Sequence, residues 1–536
     1  MGNHILISCR ENKIIYNAYN LVKAFFPGAD VKSRVCEDQE PAIIAAAENG
    51  EAAEKAAETA EAQAADHCIR PQQADISEKI SLAVDDIREL YCALRKITGQ
   101  ELPWGMLTGV RPVKLATGWI EEHLHEYASA GPARDSFIKW FYNDRFVSRR
   151  KAGIAFDIAL KEKQIIDGIM TEQNQPQGNS AMPGCIEHKY LPESGIIPGY
   201  SLYISIPFCP SVCSYCSFSS GSIKQYADRV DEYLDALVTE MEKRRIKDFS
   251  PTSVYIGGGT PTALSEHQLE RLLSEIERIF SIKNGIAEGL IKEYTVEAGR
   301  PDSINKRKLE IIKEFGAGRI SVNPQSMQLK TMEAIGRRHT PQQTEEAFLL
   351  AREMGFDNIN MDLIMGLPGE DNDDVRDTLE KIISLNPDSL TVHSLAVKRS
   401  SFMGIAGRTG KGGHPETAVQ KENARARVDI SEMIEDAYGA AARMGMHPYY
   451  LYRQKSIAGN FENTGFSRSG KEGLYNIIMM EEVQSVVGLG AGASSKQVFP
   501  DEVGNPARKG QMTRIVRSEN VKNINEYISR QKCSEN

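Results

Sequence analysis

After residue 200 the sequence alternates short β-prone runs with amphipathic helical segments, and this alternation constrains the fold more than any other feature. The predicted strands are SLYISI (201–206), SVYIGG (253–258), EYTVEA (293–298), RISVNP (319–324), NINMDLI (358–364) and SLTVHSL (389–395). Six strand–helix units in succession favour a parallel sheet with helices packed outside it. Right-handed crossovers curl such a sheet into a full or partial barrel. We therefore expect an α/β fold with a partial (β/α)6 TIM-like barrel at residues 201–404.

The segments between these strands carry the signals of helix ends. Capping-box pairs and C-terminal glycines are found at Ser265 with Gln268, Thr340 with Gln343, Gly316 and Gly355. A capping box satisfies two backbone N–H groups at a helix start, and glycine adopts the left-handed conformation that ends a helix. These signals predict helices that begin and end between the strands, as a barrel requires.

The remainder of the chain divides by composition. Residues 1–170 mix strand-like and helix-like runs and predict an N-terminal α+β domain. Within it, 36–74 is rich in Ala and Glu and is typical of an exposed helical or disordered insertion. Residues 76–99 predict a helix that ends at a glycine. The Gly-, Pro- and Ser-rich segment 171–200 predicts a linker, and 405–536 a C-terminal, mainly helical region.

Charge and composition exclude several classes of protein. The formal net charge is −9 and the pI is about 5.8, unlike the basic domain of a dedicated nucleic-acid binder. No run approaches the length of a membrane helix, and the N-terminus has neither a secretory signal nor a myristoylation pattern. We expect a cytoplasmic protein without a membrane or nucleic-acid partner. Nine cysteines in 536 residues are not a disulfide framework.

Three of those cysteines are crowded into PFCPSVCSYCSF, as Cys209, Cys213 and Cys216. Buried thiols in a core turn are one interpretation, but three in eight residues are too many for packing alone. A structural zinc site is another, but it needs four ligands and no second CxxC motif exists. An iron–sulfur cluster is the third and the favoured one. Three ligands on a four-iron cluster leave one iron open to a substrate or cofactor.

Other polar residues follow the ends of the predicted strands. GGGTP ends the second strand, and Glu297, Gln325, Asp362 and His393 lie in or after later ones. In barrels of parallel strands the chemistry lies at the carboxyl ends of the strands. The cysteine loop follows the first strand, so we expect these groups to share one site with it.

The motifs resemble those of a known family. CxxxCxxC after a first barrel strand, followed by GGGTP at 257–261, resembles the radical S-adenosylmethionine superfamily. Within it, the chain is similar to the oxygen-independent coproporphyrinogen III oxidase group across about residues 200–500. The segments that carry this likeness are LYISIPFCPSVCSYCSF, YIGGGTPT, RISVNPQSM, AIGRRHT, MDLIMGLPGE and VGLGAGASSK. TGVRPVKL and PYYLYRQKSIAGNFENTGF resemble the coproporphyrinogen dehydrogenase branch.

The resemblance implies two cofactors, a [4Fe-4S] cluster and S-adenosylmethionine, and a set of residues to hold them. Cys209, Cys213 and Cys216 would be the cluster ligands. The S-adenosylmethionine site would comprise Tyr203, Tyr215, Gly258, Gly259, Thr260, Glu297, Gln325, Arg337, Asp362 and Ala396. Tyr203 and Glu297 would belong to the catalytic centre. An electron from the cluster would cleave the sulfonium of S-adenosylmethionine and give a 5′-deoxyadenosyl radical.

The resemblance also implies what most of these residues contact. Glu297 would face the amino group of the methionine part, and Arg337 its carboxylate, with Arg338 as the neighbouring alternative. Gln325 and Asp362 would hold the ribose hydroxyls. The glycine strip would meet the methionine part, Tyr203 would reach the cofactor near the open iron, and Tyr215 and Ala396 would lie beside the adenine.

The implied reaction is the oxidative decarboxylation of two propionates of coproporphyrinogen III to vinyl groups, giving protoporphyrinogen IX. A tetrapyrrole substrate and a reductant such as flavodoxin or ferredoxin would be the partners. Lys398, Arg399 and Arg453 are candidate cations for the substrate carboxylates. Two positions depart from the oxidase pattern, Ser205 where it has His and Phe218 where it has a fourth Cys. A haem chaperone of the same family and a radical methyltransferase are the alternatives.

Overall fold

The structure is a computed structural model. It describes residues 4–9, 11–26, 29–35, 79–84, 86–109, 111–173, 197, 199–217, 221–246, 249–396, 429–453, 461–504 and 512–533. These divide into two compact units. The first contains the described residues up to Phe156 together with Arg453 and residues 461–462. The second contains the rest. The predicted insertion at 36–74 and most of the predicted linker lie outside the described residues.

The first unit combines a small parallel sheet with helices. Its strands are β1 (His4–Cys9), β2 (Asp30–Val35) and β3 (Lys79–Val84), and its helices are α1 (Asn12–Phe25), α2 (Ile87–Thr98), α3 (Val113–His123), α4 (Ala130–Arg145) and the first part of α5 (Arg149–Gln173). Strand β1 lies between the other two and is parallel to both. The buried side chains of α1 and α2 pack with those of β1 in one apolar core. This is the mixed α and β content expected for the N-terminal part.

The prediction of one helix over 76–99 is wrong in its first half. Residues 79–84 form β3 and pair with β1, and the helix begins only at Ile87. Asp86 divides the two elements because its carboxylate accepts the N–H groups of Arg88 and Glu89 and so caps the helix. The predicted stop is confirmed, since Gly99 has a left-handed φ of 66°. Because only two residues join the strand to the helix, the apolar pattern continues across the boundary, and this explains the prediction of a single helix.

The second unit contains the predicted strand–helix alternation. Its strands are β4 (Tyr200–Ile206), β5 (Phe208–Cys209), β6 (Gly221–Ser222), β7 (Ser253–Gly258), β8 (Glu293–Gly299), β9 (Arg319–Val322), β10 (Ile359–Met365), β11 (Ser389–Ser394), β12 (His447–Tyr452), β13 (Asn463–Ser467), β14 (Ser485–Leu489), β15 (Ser494–Gly504) and β16 (Met512–Glu519). Its helices after α5 are α6 (Val230–Arg244), α7 (Glu266–Phe280), α8 (Ile282–Ala287), α9 (Lys306–Glu314), α10 (Leu329–Ala334), α11 (Pro341–Glu353), α12 (Asn372–Leu385), α13 (Ile430–Arg443), α14 (Leu474–Glu481) and α15 (Ile524–Cys533).

One large sheet organises this unit, and its strand order confirms the predicted fold. The order is β12-β13-β11-β10-β9-β8-β7-β4-β14-β15-β16. The six predicted strands β4, β7, β8, β9, β10 and β11 are adjacent in chain order and mutually parallel. Their carboxyl ends therefore meet at one edge of the sheet, which is where the site was expected.

The helix-end signals act as predicted. Ser265 Oγ accepts the N–H of Gln268 at 3.2 Å, and the Gln268 side chain returns a bond to the Ser265 N–H. Thr340 and Gln343 do the same at the start of α11. Such reciprocal bonds stabilise a helix start by about 1 kcal/mol. They fix where each helix leaves the sheet.

The C-terminal region contributes helices α13, α14 and α15, as expected, and also five strands that the sequence did not predict. Strand β14 is parallel to β4 and extends the barrel sheet on that side. Strands β12 and β13 extend it beyond β11 with antiparallel pairing. No helix among the described residues combines the length and apolar character needed to cross a membrane.

Candidate active site at the carboxyl edge of the barrel sheet

The described structure brings the predicted site residues to the carboxyl edge of the parallel strands. Glu297 lies in the second half of β8, and Asp362 lies at the middle of β10. Gln325 follows β9 and bridges to β10, where its N–H donates to Asp362 O at 2.9 Å. The cysteine loop follows β4, and GGGTP ends β7 beside it. Because neighbouring strands are parallel, these groups lie side by side in the order in which they occur in the sequence.

The glycines of GGGTP are required by close packing of the chain on itself. A Cβ at Gly257 would lie 2.8 Å from the carboxyl group of Glu297. A Cβ at Gly259 would lie 2.5 Å from Phe208 O, which is closer than real carbon atoms approach. Gly258 has a φ of 104°, a conformation that glycine adopts without strain. The strip therefore lies against both the carboxylate and the segment that begins the cysteine loop.

The cysteine loop is fixed at several points. Thr260 donates its N–H to Phe208 O at 2.7 Å, and its hydroxyl lies 3.3 Å from Cys209 Sγ. The N–H of Cys216 donates to Cys213 O at 3.0 Å, which closes the loop between these two thiols. Cys213 is buried, whereas Cys209 and Cys216 are half-buried. These bonds fix the backbone of the loop that carries the three thiols.

In the ranges that the structure describes, no three His, Cys, Asp or Glu side chains converge tightly enough to hold a single metal ion. The thiolates of a four-iron cluster need not converge in this way, because each of them ligates a different iron. The chemistry of the loop suits such a ligand set. Burial raises the pKa of the Cys213 thiol, but the nearby Arg337 and Arg300 guanidinium groups lower it below its usual value. A thiolate is the form that binds metal.

Glu297 is held by donors on β7. Tyr255 donates its hydroxyl to Glu297 Oε1 at 2.7 Å. Burial and the nearby Asp362 carboxylate together raise the pKa of Glu297 to about 7, against the lowering effect of the Tyr255 and Gly258 donors. Asp362 in turn accepts a bond from Asn360 Nδ2 at 2.7 Å. A half-buried carboxylate that can accept further hydrogen bonds suits a cationic or N–H-bearing ligand.

Gln325 has an unfavourable backbone conformation. Its φ is 69°, in the left-handed region that residues other than glycine rarely adopt. The residue is buried, and its Oε1 has no hydrogen-bond partner among the described residues. An unsatisfied buried acceptor costs about 1–3 kcal/mol. A ligand hydroxyl or N–H at this position would remove that cost.

Arg337 rather than Arg338 lies at the site. Arg337 is buried, and Arg338 is exposed. The Arg337 guanidinium donates to Asn323 O, to Pro324 O at 3.2 Å and to the Tyr215 hydroxyl at 3.4 Å. Its Nε is buried without a partner in the described part of the chain. An oriented guanidinium with an unused N–H suits a carboxylate ligand.

The aromatic and small residues border two apolar neighbourhoods. Tyr215 packs with Ile335, Ile364, Leu367 and Leu395, and Leu395 directly precedes Ala396. A flat ring would fit beside such a cluster. Tyr203 lies in a stack of three tyrosine rings, 6.1 Å from Tyr255 and 6.0 Å from Tyr475 between ring centroids. Burial raises the pKa of Tyr203, so its hydroxyl stays protonated.

The candidate cations for substrate carboxylates are less well supported. Lys398 and Arg399 lie outside the described residues. Arg453 belongs to the first unit, where it is buried and donates to Leu107 O at 2.9 Å. Burial lowers its pKa to about 10. Phe218 also lies outside the described residues, whereas Ser205 is buried and donates to Ala491 O at 2.9 Å.

Sequence reasoning missed several residues at this edge, among them Tyr255, Arg300, Asp302, Asn323 and His339. Tyr255 holds Glu297, and Arg300 contacts the cysteine loop. The period of two along a strand could have found Tyr255, because it places this residue on the same face as Gly257. Arg300 follows a strand end directly, which is the position that marked the other site residues.

These residues fit the two cofactors that the motifs imply. Three thiols on one short loop, one with a lowered pKa, match the donor set of an iron–sulfur cluster with an open iron. The half-buried carboxylate of Glu297, the unpartnered Nε of Arg337 and the unpartnered Oε1 of Gln325 match a ligand that has amino, carboxylate and hydroxyl groups. We therefore regard the site as compatible with S-adenosylmethionine beside a cluster.

The chain is similar to several known proteins. The family model of the radical SAM superfamily matches residues 203–382. Over 438 residues, the chain is 36% identical to the oxygen-independent coproporphyrinogen-III oxidase-like protein HemZ of Bacillus subtilis, covering 81% of this chain and 76% of that protein. Over 296 residues, it is 34% identical to the haem chaperone HemW of Bacillus subtilis, covering 55% and 70%. The solved coproporphyrinogen III oxidase (HemN) of Escherichia coli matches with a TM-score of 0.46 and 22% identity, covering 63% and 70%.

Proposed function

Because the chain belongs to the radical SAM superfamily, in the group of oxygen-independent coproporphyrinogen-III oxidase-like proteins, we propose that it oxidatively decarboxylates propionate side chains of a porphyrinogen. Members of this superfamily bind a [4Fe-4S] cluster and S-adenosylmethionine, and these are the cofactors of this chain. The substrate that the motifs favour is coproporphyrinogen III. Two of its propionates would become vinyl groups, giving protoporphyrinogen IX.

Cys209, Cys213 and Cys216 would hold the cluster as thiolates. The lowered pKa of Cys213 supports this role, because less free energy is needed to deprotonate the thiol before it binds iron. The bonds that fix the loop to Thr260 support it as well, since ligands that are already positioned lose little entropy on binding.

S-adenosylmethionine would lie along the glycine strip. Glu297 would accept from its amino group, Arg337 would donate to its carboxylate, and Gln325 would bond to its ribose. Asp362 would be the second ribose contact, and Tyr215 and Ala396 would border the adenine. When bound, cluster and S-adenosylmethionine together supply a 5′-deoxyadenosyl radical that abstracts hydrogen from carbon.

The protein's own contribution to this chemistry is to position the substrate and to exclude water. The apolar side chains around Tyr215 would keep water away from the reacting carbon, which protects a radical from side reactions. The tyrosine stack that contains Tyr203 offers flat surfaces to a macrocycle. An electron donor such as flavodoxin or ferredoxin would be needed, together with an acceptor for the electron that the substrate loses with its carbon dioxide.

One observation carries the proposal: two buried polar atoms that the described protein does not satisfy internally occur beside the cysteine loop, near a third polar group. The two are the acceptor Oε1 of Gln325 and the donor Nε of Arg337. The third group is the half-buried carboxylate of Glu297, which accepts from Tyr255 and Gly258. Buried polar groups are normally paired, so unpaired ones at one edge indicate a polar ligand.

The test is an anaerobic assay of the reconstituted, reduced protein with S-adenosylmethionine, coproporphyrinogen III and a cell extract as electron acceptor. We expect 5′-deoxyadenosine and the vinyl product to appear together, in proportion. Deoxyadenosine without vinyl product would keep the radical chemistry and reject the substrate. A preparation that holds a full cluster and forms no deoxyadenosine with any reductant would reject the proposal.

A haem chaperone is the second candidate, because this chain has Phe218 where the oxidase pattern has a fourth cysteine, and the chaperone branch resembles it in lacking that cysteine. Ser205 is a further departure from the oxidase pattern, which has histidine there; in this chain its buried hydroxyl donates to Ala491 O. Several relatives are named haem chaperone HemW. Titration with haem under the same anaerobic conditions separates the two functions. Stoichiometric haem binding with transfer to an apo-haemoprotein, and no vinyl product, would select the chaperone.

A further inference from the structure

An ion pair between a buried arginine and a more exposed aspartate lies beside the cysteine loop and has no role in the reaction proposed so far. It joins Arg300 and Asp302, which follow the end of β8, and Arg300 is only 3% exposed. The pairing is bidentate, with Arg300 Nε 2.9 Å from Asp302 Oδ1 and Nη2 2.8 Å from Oδ2. Two parallel bonds fix the plane of the guanidinium and therefore the direction of its remaining nitrogen.

That remaining nitrogen, Nη1, contacts the cysteine loop. It donates to Ser211 O at 3.3 Å and to Ser211 Oγ at 3.2 Å, and it lies 3.8 Å from Cys213 Sγ. The guanidinium is thus between a carboxylate on one side and a thiol sulfur on the other. Arg300 is thus a second buried positive charge beside the Cys213 sulfur, in addition to Arg337.

His339 completes the surroundings of the pair without adding charge. It is buried, and its Nδ1 lies 3.8 Å from Asp302 Oδ1. Burial and the nearby Arg337 and Arg300 charges lower the pKa of His339 to about 3, so the imidazole is neutral. The positive charge near the sulfur is therefore that of Arg337 together with that of Arg300, and Asp302 moderates only the contribution of Arg300.

We propose that Arg300 is a positioning residue for the iron–sulfur cluster, which fastens the ligand loop and raises the reduction potential of the cluster through Cys213, and that Asp302 limits this effect. The inference rests on the proposed role of Cys213 as a ligand. Positive charge and hydrogen bonds at a ligating sulfur stabilise the more negative, reduced cluster. Asp302 opposes that stabilisation because its negative charge lies on the far side of the same guanidinium.

The test compares four variants of the full, reconstituted protein: Arg300→Gln, Arg300→Lys, Asp302→Asn and Arg307→Gln. Arg307 is the matched control, because it is an exposed arginine that pairs with Glu270, Glu310 and Glu314. The measurements are iron content and a redox titration followed by the electron paramagnetic resonance signal of the reduced cluster, without S-adenosylmethionine and without substrate.

We expect Arg300→Gln to lower the ratio of reduced to oxidised cluster about tenfold at a fixed potential, which corresponds to about 59 mV for one electron. Arg300→Lys keeps the charge, so its ratio of reduced to oxidised cluster should stay within about threefold of that of the parent. Asp302→Asn should shift the ratio in the opposite direction to Arg300→Gln. Arg307→Gln should leave it unchanged.

Opposite signs for the Arg300 and Asp302 variants distinguish electrostatic tuning from a purely structural role. Equal potentials in all four variants would overturn the inference. So would a loss of iron in both the Gln and Asn variants with unchanged potential in the clusters that remain, since that result makes the pair a loop anchor only. If the Arg300→Gln variant binds no cluster, the reduction potentials of Arg300→Lys and Asp302→Asn test the inference instead. Either failure leaves the proposed reaction untouched, because deoxyadenosine formation by the parent is measured separately.

Discussion

Replacing Tyr255 with Phe should change the pH dependence of S-adenosylmethionine binding. Tyr255 donates to Glu297 Oε1 at 2.7 Å, and the pKa of Glu297 is about 7. A hydrogen bond to a charged group contributes about 1.5–3 kcal/mol, and each 1.36 kcal/mol corresponds to one pH unit. Loss of the donor should therefore raise the pKa of Glu297 by about one to two pH units.

The sign follows from the form of Glu297 that binds the amino group, which is the carboxylate. In the parent protein, affinity should rise from pH 6 to pH 8 as Glu297 ionises. In Tyr255→Phe the same rise should occur at higher pH. At pH 7 the carboxylate fraction falls from about one half to about one tenth or less, so binding should weaken at least about fivefold. Near pH 9 the two affinities should approach each other.

The assay is anaerobic calorimetric titration of cluster-loaded protein with S-adenosylmethionine from pH 6 to pH 9. Tyr475→Phe is the matched control, because its ring stacks on Tyr255 at 4.6 Å while Glu297 takes its bond from Tyr255. The control removes one hydroxyl from the same stack and should not shift the dependence of S-adenosylmethionine affinity on pH. Parent and Tyr255→Phe profiles that coincide, or a shift of equal size in Tyr475→Phe, would refute the reasoning.

Three further outcomes follow from the same contacts. Cys213→Ala should abolish the brown cluster colour and all cleavage of S-adenosylmethionine; a fully loaded, active variant in iron and deoxyadenosine assays would remove Cys213 from the ligand set. Arg337→Ala should keep the cluster but weaken S-adenosylmethionine binding by about tenfold or more, as expected for a lost charged hydrogen bond, while Arg338→Ala, at an exposed position, should bind normally; the reverse order would exchange their roles. Gly259→Ala should lower iron content and thermal stability, because its Cβ would lie 2.5 Å from Phe208 O; normal loading and an unchanged melting temperature would show that the loop can move aside.

The barrel could be predicted from the sequence because the signals for its strands and helices are local. Each strand is a short β-prone run, and each helix has its own end signals, so Ser265 and Thr340 mark the boundaries without reference to the rest of the fold. The edge on which the chemistry lies follows from the parallel order alone. The prediction failed at 79–84, where a strand and the next helix are joined by only two residues.

The contacts between distant segments could not be predicted in the same way. The Tyr255 donor to Glu297 joins positions 42 residues apart, and the Arg300 contact with Cys213 joins positions 87 residues apart. Neither pairing has a spacing that a local pattern could reveal. Strand β14 likewise pairs with β4 across most of the barrel sequence. Long-range pairing depends on how the whole sheet closes, which local propensity does not determine.

The glycine strip shows why the motifs identify the fold more firmly than the substrate. Gly259 is required by the approach of Phe208 O, and Gly257 by the carboxyl group of Glu297, so both would be needed whatever macrocycle lies beyond the cofactor. Residues with such packing reasons cannot separate an oxidase from a haem chaperone that shares the same cofactor site. The distinction has to come from side chains whose identity the fold leaves open. Ser205, where the oxidase pattern has histidine, and Phe218, where it has a fourth cysteine, are the two positions at which this chain departs from the oxidase pattern.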